Sequence, residues 1–155
     1  MAYSPSTPVT GAAVAGFTAP TYTLSADVAP DVNGKQHAIS ALGGTQAGVT
    51  VHSVASPFTV TFTRPKNFKM LGLPNPVTGK IASVPRNVYQ LLLRKGVTPA
   101  ANQAAVSMII RTTIEVPAGS DTYDAANVKA AISAMIGTLS QVSSGVGDTV
   151  LTGVM

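Results

Sequence analysis

The sequence predicts an α+β chain in which an antiparallel sheet comes first and a long amphipathic helix with a short tail follows. Three observations carry this. Apolar and polar residues alternate with a period of two at 58–63, 86–95 and 103–116. A clean period near 3.6 occurs in one place, 120–142. Before that helix, clusters of Pro and Gly cut the chain into short stretches.

At the start, Pro5, Pro8 and Pro20 preclude a helix but tolerate an edge strand over 9–17, with 22–28 as its hairpin partner. Asn33-Gly34 is a strong reversal signal. A strand is expected over 35–42, closed by Gly43-Gly44, and another over 49–54, where Val49 and Val51 alternate with Thr50 and His52. Pro57 separates it from 58–63. There Phe58, Val60 and Phe62 face one way and Thr59, Thr61 and Thr63 the other. Residues 64–85 carry four prolines and two glycines and read as a long basic connection.

The strand at 86–95 puts Tyr89, Leu91 and Leu93 on one side and Arg86, Gln90 and Arg94 on the other. A loop of small residues is expected over Gly96, Val97, Thr98, Pro99, Ala100, Ala101 and Asn102. In 103–116, Val106, Met108, Ile110 and Ile114 share a face, and Ser107, Arg111, Thr113 and Glu115 the opposite one. Pro117-Ala118-Gly119 ends it. In the helix, Val128, Ala131, Ile132, Met135, Ile136 and Leu139 form one apolar stripe. Asp121, Thr122 and Asp124 supply acceptors and negative charge where the first helical N–H groups are unpaired. The tail is broken by glycines, with a helical turn expected at 148–151.

The function follows from how charge and grease are distributed. Hydrophobic residues make up 45% of the chain and charged residues 10%, well under the usual ~25%, which points to a surface covered by copies of the chain or by a partner. Between Val32 and Ile114 there are nine Lys and Arg and no Asp or Glu, the footprint of a polyanion partner. One side of the last three strands is apolar and needs a cover. A single helix of ~10–12 Å diameter cannot span five strands ~4.8 Å apart, so a homodimer supplying two helices is expected. The opposite side interleaves cations with hydroxyls and an amide, which suits phosphates, sugars and splayed bases of single-stranded RNA. By strand parity the RNA-contacting candidates are Thr59, Thr61, Thr63, Arg86, Gln90, Arg94, Arg111 and Thr113, while Lys66, Lys69, Lys80 and Lys95 are assigned to loops.

An enzyme is not expected. His37 and His52 have no clustered carboxylate, no nucleophile has a base at a recognisable spacing, and there is no phosphate-binding Gly-rich loop. With no cysteine, thiolate metal sites and disulfides are excluded; no metal, cofactor or small-molecule substrate is expected. The first 17 residues lack a basic leader and a membrane-length apolar run, which points to assembly in a cytoplasm with no membrane partner.

The runs VPRNVYQLLLRKGV (84–97), IIRTTIEVPAGSDTYDAANVKAAISAMIG (109–137) and GVGDTVLTG (145–153) resemble the coat proteins of the single-stranded RNA bacteriophages, the levivirus group. The resemblance implies one coat-protein domain over 1–155: an N-terminal β-hairpin (1–34), a five-stranded antiparallel sheet (35–117), and C-terminal helices (120–155) that interlock across a dimer. It implies an icosahedral shell around a positive-strand genome, with the open sheet face inward and the helices outside. It also implies binding of a genomic RNA hairpin for packaging and translational repression, and a single-copy maturation protein as a further partner. The 96–102 loop would meet its copies at the symmetry axes. The long insertion at 64–85 departs from the best-known members, and base-contacting residues are not carried over from them by identity. The competing reading is a non-viral, dimeric RNA-binding β-sheet module.

Overall fold

A computed structural model describes residues 3–155. Six strands form one antiparallel meander in chain order: β1 (Val9–Thr10), β2 (Thr18–Asp27), β3 (Gly34–Thr45), β4 (Phe58–Thr63), β5 (Arg86–Val97) and β6 (Val106–Pro117). The expected antiparallel sheet with helices after it is present, with a different strand count. The N-terminal hairpin is not a separate ribbon, because β2 pairs along β3 and only two residues, Val9 and Thr10, pair outside β2.

The strand expected over 49–54 is absent. β3 pairs directly with β4, from Gly34 opposite Thr63 to Ala38 opposite Thr59, leaving no place between them. Residues 46–57 instead fold back as a loop. The His52 N–H donates to the Ile39 carbonyl at 2.9 Å, and His52 Nδ1 accepts from the Phe58 N–H at 3.0 Å. The Val/Thr alternation there does not carry over into burial: Val49 and His52 are half-buried, whereas Thr50, Val51 and Val54 are exposed.

Register aligns the apolar side as parity predicts. Val60 lies opposite Leu93, which lies opposite Ile110; Phe62 lies opposite Leu91. Ile39 and Phe58 are buried at its centre. The residues from Tyr3 to Phe17 cover part of this side, a cover the sequence pattern did not show. The Tyr3 ring stacks on Phe62 at 4.7 Å, and Thr7 Oγ1 accepts from the Leu24 N–H at 2.9 Å.

The expected continuous helix is broken into α1 (Ser120–Tyr123) and α2 (Ala125–Gln141), and the tail forms a third helix, α3 (Ser143–Thr152), longer than the single turn expected. The breaks fall at Asp124 (φ −138°, ψ 45°) and Val142 (φ −99°, ψ 12°). Asp124 stands at the N-terminus of α2, but its carboxylate accepts from the Asn127 side-chain amide at 2.8 and 2.9 Å rather than from a backbone N–H. None of the three helices has a buried residue. α1 touches β6, whereas α2 does not lie on its own sheet. α3 is tied to the N-terminal segment by Ser143 Oγ, which donates to the Ala13 carbonyl at 2.5 Å.

Candidate functional site

Cross-strand register gathers the polar candidates into rows on one side of the sheet. Thr59 lies opposite Arg94, Thr61 opposite Leu92 and then Arg111, and Thr63 opposite Gln90 and then Thr113. Arg94 and Arg111 are therefore diagonal neighbours, ~7–8 Å apart by sheet geometry. Leu92 and Ile109 share this side, so it is more apolar than the Arg/Thr pattern alone conveys.

These residues are not equally free. Thr61 is 2% exposed and Thr59 4%. Thr61 Oγ1 donates to Gln36 Oε1 at 2.7 Å, and Gln36 Nε2 donates to Asp27 Oδ2 at 2.7 Å. This hydrogen-bonded chain ties β4 to β3 and β3 to β2. It also holds the Asp27 carboxyl below its ordinary value, the Gln36 amide first and the Val28 N–H second. Thr63 Oγ1 turns to the Gln90 carbonyl at 3.4 Å. Arg86 is ion-paired: its Nη1 lies 3.1 Å from Glu115 Oε2, with both side chains largely exposed. Among the described residues, Arg94 and Arg111 have no carboxylate partner.

Lys95 is not a loop cation. It lies in β5 on the apolar side, where its Nζ donates to the Thr50 carbonyl and to Thr50 Oγ1, both at 2.8 Å, and sits 4.7 Å from the Phe58 ring centre. It pins the 46–57 loop to the sheet, and burial pushes its ammonium pKa down. Lys66, Lys69 and Lys80 do belong to the 64–85 connection. That connection is clamped by Asn87, whose Oδ1 accepts from the Lys69 N–H at 2.8 Å and whose Nδ2 donates to the Lys69 carbonyl at 3.0 Å. Asn87 shares parity with Tyr89 and Leu91, so Lys69 leaves on the apolar side, away from Arg94 and Arg111.

The loop placed at 96–102 begins later. Gly96 and Val97 belong to β5 and pair with Ser107 and Val106, so the connection is 98–105. Gly96 is buried and donates to the Pro57 carbonyl at 2.6 Å; a Cβ there would sit 2.7 Å from Ser56 Cα, so only glycine fits.

Two apolar surfaces remain open. On α2, Ala131, Met135, Ile136 and Leu139 are exposed, and Val128 and Ile132 half-buried. On the sheet, a cleft of about 700 Å³ opens between the N-terminal segment and the apolar side, reaching from Val9 and Phe17 to Leu93 and Ile110. Among the described residues no cluster of three metal-ligating side chains occurs, and no helix is long and apolar enough to cross a membrane. His52 serves as a backbone acceptor, and His37 Nδ1, beside Tyr3, is buried with no hydrogen-bond partner among the described residues.

Sequence reasoning missed Gln36, Asn87 and Thr50, which hold the site's strands and loops together. Their contacts join residues 9 to 45 positions apart, and no local pattern announces them.

No protein-family model matches this chain, and no curated protein matches it. A solved structure described as the virus-like particle of bacteriophage ESE020 is similar to it at 64% identity, covering 99% of this chain and 100% of the other, with a TM-score of 0.96. The virus-like particle of Wenzhou levi-like virus 4 matches at 21% identity over 83% of this chain and 71% of its own, with a TM-score of 0.42, too remote to support an argument.

Proposed function

The chain belongs to the coat proteins of the single-stranded RNA bacteriophages, structural capsid subunits rather than enzymes, and from that premise we propose that it pairs through α2, builds its shell from these pairs, and lines the shell with RNA on the polar side of the sheet. The observation that carries the pairing is that one chain leaves both the α2 stripe and part of the sheet's apolar side open, and the two do not meet. A helix borrowed from a second copy covers what the first copy's own helix does not reach, and a two-fold axis makes the exchange mutual.

The RNA side of the proposal rests on Arg94 and Arg111, adjacent and free of carboxylates among the described residues. Gln90 and Thr113 flank them, and Thr63 lies at the end of their row. Thr59 and Thr61 form the floor beneath longer side chains. Arg86 joins the RNA surface only when a phosphate displaces Glu115. A hairpin of the genome is the ligand, with packaging and repression of translation as its consequences, assembly in the host cytoplasm, and a maturation protein as the single-copy partner.

The test is Arg94→Ala combined with Arg111→Ala. Shells still form, but their nucleic-acid content falls, and the slope of log affinity against log salt flattens by about 1.4 if each arginine meets one phosphate of a single strand. An unchanged absorbance ratio together with an unchanged slope would refute the RNA assignment.

A further inference from the structure

The 64–85 connection is long for a link between neighbouring strands, yet it is held in one shape. Besides the Asn87 clamp on Lys69, its tip is closed by Asn75. Asn75 Oδ1 accepts from the N–H groups of Val77 at 2.8 Å and Thr78 at 3.1 Å, Asn75 N–H donates to the Lys80 carbonyl at 2.9 Å, and Gly79 N–H returns to the Asn75 carbonyl at 2.8 Å. This ordered loop holds apolar side chains out into solvent: Leu73 is 95% exposed and Val77 90%. Ordering a loop costs conformational entropy, and exposing leucine and valine at its tip gains nothing within one chain.

The loop also continues into a second exposed feature. Leu71 lies against Gly119, where a Cβ would come within 3.3 Å of Leu71 Cδ2. Gly119 caps α1, and its carbonyl accepts from the Tyr123 N–H at 2.9 Å. Tyr123 is 98% exposed and stands between Asp121 and Asp124. The loop and the α1 turn that it adjoins therefore carry exposed apolar side chains, with Lys80 at the loop tip beside Asn75 and carboxylates on α1, while Lys69 is held at the base of the loop by Asn87.

We propose that this loop and the α1 turn form a self-complementary patch through which neighbouring copies dock on each other in the shell. A two-fold rotation lays the Lys80 tip of one copy on the Asp121 and Asp124 carboxylates of the next and closes Leu73 against Tyr123, so opposite charges meet and the exposed apolar side chains are covered twice. The superposition on the ESE020 particle chain covers nearly the whole of this chain, so a subunit known in an assembled particle shares its course. RNA is a poorer occupant, because the clamp sends the loop to the apolar side of the sheet, opposite Arg94 and Arg111. The proposal depends on shell formation and not on the RNA assignment.

The chain contains no cysteine, so two introduced thiols report contact without background. Chains carrying Leu73→Cys and Tyr123→Cys, co-assembled and oxidised with glutathione disulfide, are expected to give a disulfide-linked pair in particles and none in dilute, disassembled pairs. A separate Leu73→Glu, Val77→Glu variant, altered only at solvent-facing positions, is expected to keep its fold and its α2-mediated pairing but to lose shells or disassemble at a lower temperature. No cross-link in particles, or a cross-link of equal yield in free pairs, overturns the two-fold shell contact. Shells of wild-type yield and stability in the glutamate variant overturn it as well, and intact shells that have lost RNA would reassign the loop to nucleic acid.

Discussion

The strands β3 to β6 and the helix α2 each carry one apolar side, but a single chain serves them very differently. In the sheet, Ile39 and Phe58 are buried, Tyr3 stacks on Phe62, and Lys95 fastens the neighbouring loop over Phe58. In α2 no residue is buried, and Met135, Ile136 and Leu139 face solvent. The difference comes from connectivity. A meander brings each strand beside its sequence neighbour, so ladder bonds and cross-strand pairs form even across the long 46–57 and 64–85 connections. The breaks at Asp124 and Val142 leave α2 running off β6 without packing on the described strands. An amphipathic helix draws most of its stability from packing of its apolar face; the strands of this chain leave that face of α2 unpacked, whereas the sheet packs part of its own apolar side.

The strongest way to break this contrast is Ile132→Asp. Burying an unpaired charge in the helix seam costs about 3–5 kcal/mol, more than a hundredfold in pairing affinity, while Ser133→Asp, one position round the helix, leaves pairing intact. Sedimentation reads the difference, and a wild-type pair in the Ile132 variant would place the stripe outside the interface. A middle-sized effect belongs to the sheet alone. Thr61→Ala leaves Gln36 Oε1 without its donor and lowers stability by about 1–2 kcal/mol, seen in the denaturant midpoint, with pairing and RNA content unchanged. A drop in RNA content would show that Thr61 serves the ligand rather than the ladder.

The smallest effect sharpens the same point with pH. The Asp27 carboxyl is held below its ordinary value by Gln36 and the Val28 N–H, so its contribution is full above the carboxylate range and is lost as pH falls through it. Asp27→Asn therefore flattens the decline of the melting temperature between about pH 5 and pH 3, and identical profiles would remove Asp27 from the network.

The two faces of the sheet were legible because parity is local. Once 58–63, 86–95 and 106–116 are strands, side-chain direction alternates whatever lies above them, and the pairing of Val60, Leu93 and Ile110 follows that parity. The family was legible in the runs at 84–97, 109–137 and 145–153. The pattern misled where it reported two-sidedness without saying what pairs. Residues 49–54 alternate like a strand, yet β4 already occupies the edge they would need. Lys95, next to a glycine, reads as a loop cation, but its parity with Leu93 turns it to the apolar side. Arg86 reads as free until register brings Glu115 near it.

Sequence alone determined the order of sheet and helix, the two-sidedness of the strands, the apolar stripe of α2 and the long acid-free cationic stretch, because each depends on residues within a few positions of one another. Tertiary structure decided which cations stay free, how the N-terminal segment covers Phe62, where the 64–85 loop is clamped, and that α2 leaves its own sheet uncovered. Those outcomes depend on contacts between residues far apart in the chain, such as Tyr3 with Phe62 and Lys95 with Thr50. Only folding settles which distant residues come together, and thus which surfaces one chain can close and which wait for another.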